Sequence, residues 1–261
     1  MKLNIVAART GLTWVRMGLR TYFRQPLALT SLFFMYTTTV LLLAVVPVIG
    51  VVIGGLLVPA ASLGLMAATA EAEKGRFPLP SVLLSAFRAG RQQLRAMLVL
   101  GAFYASGSLL ASGLATLLAG DGAIAPPPSA SAGAQMASLD PAMGLALLFH
   151  LPLFAMFWHA PALVHWHGVT PVKSLFFSLV AVLRNLGAHL LFATGWLALF
   201  LAAGSVFGLL GALVGGTSGV QILVLPLALV LASMFSSSVY FSFRGCFRAD
   251  ENEVQEAPKG A

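Results

Sequence analysis

Charge is the scarcest property of this sequence: Asp, Glu, Lys and Arg make up 9% of its 261 residues, against roughly 25% in ordinary soluble domains. With 59% of the residues hydrophobic, that shortage excludes a water-soluble fold, because no chain of this size hides so much apolar surface. Cysteine is nearly absent. The single Cys246 rules out an internal disulfide and implies no oxidising compartment. Acids are missing from every long apolar run, since Glu71, Glu73, Asp121 and Asp140 all fall at ends or in gaps. That weakens ion-coupled transport, which usually places an ionisable group inside a span. Catalytic signatures are lacking as well: there is no Gly-x-Ser-x-Gly elbow, phosphate loop, His-Glu-x-x-His or nucleophile with a matched His and acid. Neither an enzyme nor a cofactor is expected.

What is present is hydrocarbon in long runs. They predict an all-α, polytopic integral membrane helical bundle of six spans, at about 27–46, 48–70, 96–119, 141–164, 188–214 and 220–243, within a single membrane domain over 1–243. Each run is long enough to cross about 30 Å of hydrocarbon at 1.5 Å per residue. Pro152 and Pro161 are expected to kink the fourth. The first run is too long for a signal-peptide core and is expected to be retained. Residues 120–140, rich in Ala, Ser and Pro, predict a loop that cannot bury a core, and 244–261 predict a disordered tail.

Three amphipathic interface helices separate the spans. In 9–25, Arg16, Arg20 and Arg24 form one stripe, with Trp14 and Tyr22 suited to headgroup depth. In 79–95, Arg88, Arg91 and Arg95 share a wedge opposite Val82, Leu83, Ala86, Phe87 and Leu94. The third covers 171–186, with Ser174, Ser178, Arg184 and Asn185 on one side. Gly75, Pro78, Ser81, Ser85 and Arg91 recur 93 residues later as Gly168, Pro171, Ser174, Ser178 and Arg184, which suggests three units of interface helix plus two-span hairpin.

The basic residues orient this arrangement. All 15 Lys and Arg lie in 1–26, 71–95, 165–187 and 244–261, on one side of the six spans. The positive-inside rule then puts both termini in the cytoplasm and the Pro-rich loop outside. A net charge of +7 with no basic domain to carry it points to anionic lipid headgroups as partners, not nucleic acid. The six striped arginines are the residues expected to meet those headgroups.

Two further groups invite a site. His159, His165 and His167, with His150 and His189 nearby in sequence, offer imidazoles for a metal. No Cys or acid lies close in sequence to complete a site, so these histidines read first as interfacial residues beside Trp158 and Trp166, and no metal is expected. Gly204, Gly208, Gly211 and Gly215 form small-residue spacings suited to close helix contact, within the chain or as a homo-oligomer seam.

The stretches Met1–Val6, Arg9–Gly11, Phe23–Leu29, Pro59–Met66, Gly75–Pro78 and Phe87–Gln92 resemble an uncharacterised family of six-span bacterial inner-membrane proteins known only by a locus-style label. Relatives usually end the last span with Tyr-Arg-Asp-aromatic, whereas Phe243-Arg-Gly-Cys-Phe247 lacks the Asp. The resemblance implies a bacterial inner-membrane protein without an assigned activity. From the residues themselves, the leading expectation is a non-enzymatic protein that organises or senses the cytoplasmic leaflet, or docks a partner there. The alternative is a permease or channel, for which a water-lined cavity reaching Ser106, His159 or Ser236 would speak.

Overall fold

Inside lipid a charge-free stretch can satisfy its backbone only by its own hydrogen bonds, so long apolar runs fold as helices. A computed structural model describes residues 2–46, 49–119 and 141–248. Its elements are β1 Lys2–Leu3, α1 Thr10–Arg24, α2 Pro26–Ala44, α3 Ile49–Glu73, a 3-10 turn Pro80–Leu84, α4 Ser85–Arg88, α5 Arg91–Ala119, α6 Pro141–Phe157, α7 Ala160–His167, α8 Pro171–Arg184, α9 Leu186–Cys246 and β2 Phe247–Arg248. The predicted loop 120–140, residues 47–48 and the tail beyond Arg248 lie outside the described residues.

Among the described residues five helical stretches are long and apolar enough to cross a membrane: Pro26–Leu43, Val52–Glu73, Arg91–Ala119, Met143–His167 and Leu186–Cys246. The last, 61 residues long, would measure about 90 Å if straight. It is bent double instead. Gly215 and Gly216 leave helical geometry, Gly216 with φ of +59°, and a side chain on Gly211 would lie 2.7 Å from the Cα of Val220. Trp196 meets Phe235 at 5.6 Å between ring centroids, so the arms 186–214 and 217–246 run antiparallel as the fifth and sixth apolar runs. Outward-facing Leu27, Leu117, Leu213, Val214 and Ile222 are all at least 71% exposed, an apolar belt of the kind a bundle turns to lipid.

The thickest part of the core sits at the end that carries β1 and β2. There Trp14, Met66, Leu163, Phe192, Trp196, Tyr240 and Phe243 form one buried cluster. The sequence places Trp14 and Tyr22 at headgroup depth, but they are only 2% and 4% exposed. The reason is Gly11 and Gly18: without side chains, α1 sinks onto both arms of α9. A Cβ on Gly11 would overlap the Ala188 carbonyl oxygen, and one on Gly18 would lie 2.6 Å from the Cα of Ser238.

The interface helix expected at 79–95 is not one helix. Gly90, with φ of +99°, takes a conformation that ends α4 and lets α5 start afresh at Arg91. The segment before it is a wedge that enters the bundle. Leu83 packs against Gly64 of α3, where a Cβ would lie 2.8 Å from the Leu83 Cα, nine residues or roughly 14 Å inside the helix end at Glu73. The repeat is visible where Gly75 and Gly168 both take positive φ, and is lost beyond, since 171–184 is a regular helix.

The predicted kink in the fourth run falls at Trp158 and His159, just before Pro161 at the start of α7, while Pro152 sits inside α6. The polar tail begins later than 244. Cys246 still belongs to α9, and Lys2 and Leu3 pair antiparallel with Arg248 and Phe247. Asn4 N–H and Nδ2 donate to the carbonyls of Cys246 and Gly245, at 2.8 and 2.9 Å. Asn185 completes the clasp, its Oδ1 accepting from Val6 N–H at 2.8 Å and its Nδ2 donating to Asn4 O at 3.1 Å.

Candidate functional site

Chemistry-bearing side chains gather at the end where the clasp closes. On the outer face of α1, Arg16, Arg20 and Arg24 are exposed one helical turn apart. Arg24 Nη1 donates to the Glu73 carbonyl at 3.2 Å. Arg88, Arg91 and Arg95 are exposed too, but the turn at Gly90 separates Arg88 from the other two, so the expected three-residue stripe is broken. Both described acids here have cationic partners. Glu71 pairs with Arg76 at 2.6 Å and Lys74 at 3.8 Å. Glu73 pairs with Arg244 at 2.5 Å and accepts from the Tyr240 hydroxyl at 3.3 Å. Among the described residues, Arg16, Arg20, Arg88, Arg91 and Arg95 have no carboxylate partner, so their charge is available to an outside anion.

Arg88 also lines a groove. A cavity of about 420 Å³ runs between α2, α3 and the wedge, lined by Met35, Leu43, Leu57, Leu83, Phe87 and Arg88. Its walls are apolar apart from Arg88 and the hydroxyls of Tyr36, Thr39 and Ser81.

The three candidate histidines separate. His165 borders a second cavity, of about 470 Å³, beside Glu71, Lys74, Ser85, Tyr240 and Arg244, and its carbonyl accepts from Gln93 Nε2 at 2.9 Å. His167 lies 5.9 Å from the Phe243 ring. His159 alone is fully buried, because the break between α6 and α7 turns it inward. Ser178 of α8 holds that break, accepting from His159 N–H at 2.9 Å and donating to Ala155 O at 2.8 Å. His159 is then brought to His189 and Cys246, with a ligand atom from each lying within 4.8 Å of the others. His189 already stood beside it among the sequence candidates, whereas Cys246 did not. The available signal was the hairpin itself: folding the last two runs about Gly215–Gly216 returns both residues to one end. His150 is a structural residue of α6, its Nδ1 donating to Ala146 O at 2.7 Å and its Nε2 3.3 Å from the Ser108 hydroxyl.

Ser106 and Ser236, the residues a water-lined cavity was expected to reach, lie in different surroundings. Ser106 donates to Ala102 O of its own helix at 2.8 Å. The cavity of about 300 Å³ that reaches Ser236 is walled by Phe33, Phe154, Phe157, Trp158 and Phe235. In the glycine series, Gly211 packs within the hairpin against Val220, while Gly204, Gly208 and Gly215 have nothing within 4 Å of a notional Cβ.

No protein-family model matches the chain, and no solved structure is similar to it. A probable inner membrane protein of Burkholderia thailandensis, known by the locus-style label BTH_II0599, is 35% identical, the similarity covering 99% of this chain and 98% of that protein. With likeness of that extent and five membrane-length helices in the fold, the chain belongs to the same family of bacterial inner-membrane proteins.

Proposed function

We propose that this protein acts by binding and not by catalysis, holding anionic phospholipid of the cytoplasmic leaflet at its basic end. The observation that carries this reading is a largely apolar groove with the Arg88 guanidinium in its lining, which offers an acyl chain and a headgroup phosphate partners in one feature. The guanidiniums of Arg16, Arg20, Arg91 and Arg95, exposed and without described carboxylate partners, extend the same anionic preference across the surface. The cytoplasmic placement is supported by the confinement of all 15 Lys and Arg to one side of the spans. Each arginine near an anionic leaflet contributes about 1 kcal/mol, equivalent to about fivefold in lipid retention.

The test uses the full-length protein, stripped of lipid in detergent and offered phosphatidylglycerol or phosphatidylcholine in mixed micelles. Wild type is expected to retain phosphatidylglycerol selectively. The Arg16→Gln, Arg20→Gln, Arg88→Gln variant is expected to lose most of that selectivity while keeping its thermal unfolding midpoint. Equal retention of both lipids by wild type, or unchanged selectivity in the folded variant, refutes the reading.

A further inference from the structure

The cluster of His159, His189 and Cys246 is assigned no role by the lipid reading, and its chemistry is of another kind. We propose that these three side chains form a binding site for one copper(I) ion. They arrive from three places in the fold, the break before α7, the first turn of α9 and the last residue of α9, and their ligand atoms already lie within 4.8 Å of one another. Ligands around one such ion stand about 3.5 Å apart, given metal bonds of about 2.0–2.3 Å. Closing the site takes a movement on the order of 1 Å.

Unpaired nitrogens supply a second, independent observation. His159 is 0% exposed, yet neither ring nitrogen has a hydrogen-bond partner. His189 Nδ1 lies 3.0 Å from the Asn185 carbonyl oxygen, which can only accept, so Nδ1 carries the proton and Nε2 presents a bare lone pair. That Nε2 is buried and unpartnered too. A histidine fixed through one nitrogen by a backbone carbonyl, with the other free, is the arrangement of metal-binding imidazoles. Leaving such atoms unsatisfied costs about 1–3 kcal/mol each, so a fold that retains three of them has a use for them.

The surroundings select the ion. Rings of Phe243 and Phe247 lie 6.0 and 5.5 Å from the His159 ring, and those of Trp14 and Trp158 lie 5.3 and 6.2 Å from that of His189. The described acids at this end, Glu71 and Glu73, are engaged with cations elsewhere. A divalent ion bound to one thiolate would therefore leave a net positive charge buried among rings, at high cost. Copper(I) leaves none: as it binds, the Cys246 thiol gives one proton to the solvent, and the thiolate and the ion cancel. A soft thiolate with two imidazoles suits this ion, whereas zinc prefers a fourth ligand.

The experiment titrates the full-length protein in detergent, without oxygen and with ascorbate present, using copper(I) held by a chromophoric competitor, and then zinc(II). One copper(I) per chain is expected. Cys246→Ala and His159→Phe should each weaken binding at least about 100-fold, while His165→Ala and His167→Ala leave it unchanged. Should the buried substitutions prevent folding, X-ray absorption of the copper-loaded wild type decides alone: one sulfur and two imidazole nitrogens support the site, and nitrogen-only coordination overturns it. Equal copper binding by folded Cys246→Ala, or zinc taken up in preference to copper(I), also overturns it.

Discussion

Substituting Gly18 with alanine tests the claim that α1 is a core element and not a helix resting on the surface. The added Cβ would stand 2.6 Å from the Cα and 2.7 Å from the Cβ of Ser238, where carbon atoms ordinarily pack at about 3.5–4.0 Å. The obstacle is backbone, which cannot rotate aside. Helix α1 must therefore lift by roughly 1 Å along its Gly11–Trp14–Gly18–Tyr22 face, loosening the contacts of Trp14 with His189 and Phe192. Overpacking of this kind costs typically about 1–3 kcal/mol, and here the upper end applies because α9 opposes α1 at Gly11 as well. The better helix propensity of alanine returns up to about 1 kcal/mol. The net expectation is a loss of about 2 kcal/mol, or about 4–8 °C in unfolding midpoint for a chain of this size. The matched control is Gly208→Ala, whose Cβ meets nothing within 4 Å; it is expected to raise the midpoint slightly. Tryptophan fluorescence during heating in detergent reads both. If the two variants shift in the same direction by the same amount, α1 is not packed as described.

Two further variants address the polar links at the same end. Ser178→Ala strips a buried hydroxyl from both the His159 amide and the Ala155 carbonyl; stranding them is expected to cost about 2–4 kcal/mol, with faster amide exchange at His159, and unchanged exchange there would show that the hydroxyl does not hold the break. Asn185→Ala removes the acceptor for Val6 N–H and the donor to Asn4 O. Limited proteolysis should then cut within the first eight residues at concentrations that leave wild type whole, and equal resistance would show that the β1–β2 ladder holds the amino terminus unaided.

Elements whose fate depends on local composition were legible beforehand. Apolar runs without charge must be helices in lipid; Pro26, Pro141 and Pro171 open three of the helices observed, and the kink expected near Pro161 falls just before it. The position of Arg16, Arg20 and Arg24 on one exposed face followed from the 3.6-residue period alone. Long-range contacts were not legible. Gly90 looks like any other glycine until its φ of +99° divides Arg88 from Arg91, and Val82 and Leu83 read as the underside of a surface helix until they are seen packed against α2 and α3. Trp14 has the composition of a belt residue, and only the bare backbones of Gly11 and Gly18 take it into the core.

By itself, then, the sequence determined the solvent this protein lives in, the helical character of its runs and the confinement of cationic charge to one end, because each follows from hydrophobicity and spacing along a single element. Only the tertiary structure decided which side chains meet. The hairpin at Gly215–Gly216 and the break held by Ser178 bring His159, His189 and Cys246 together across 87 positions of chain, a proximity no local period encodes.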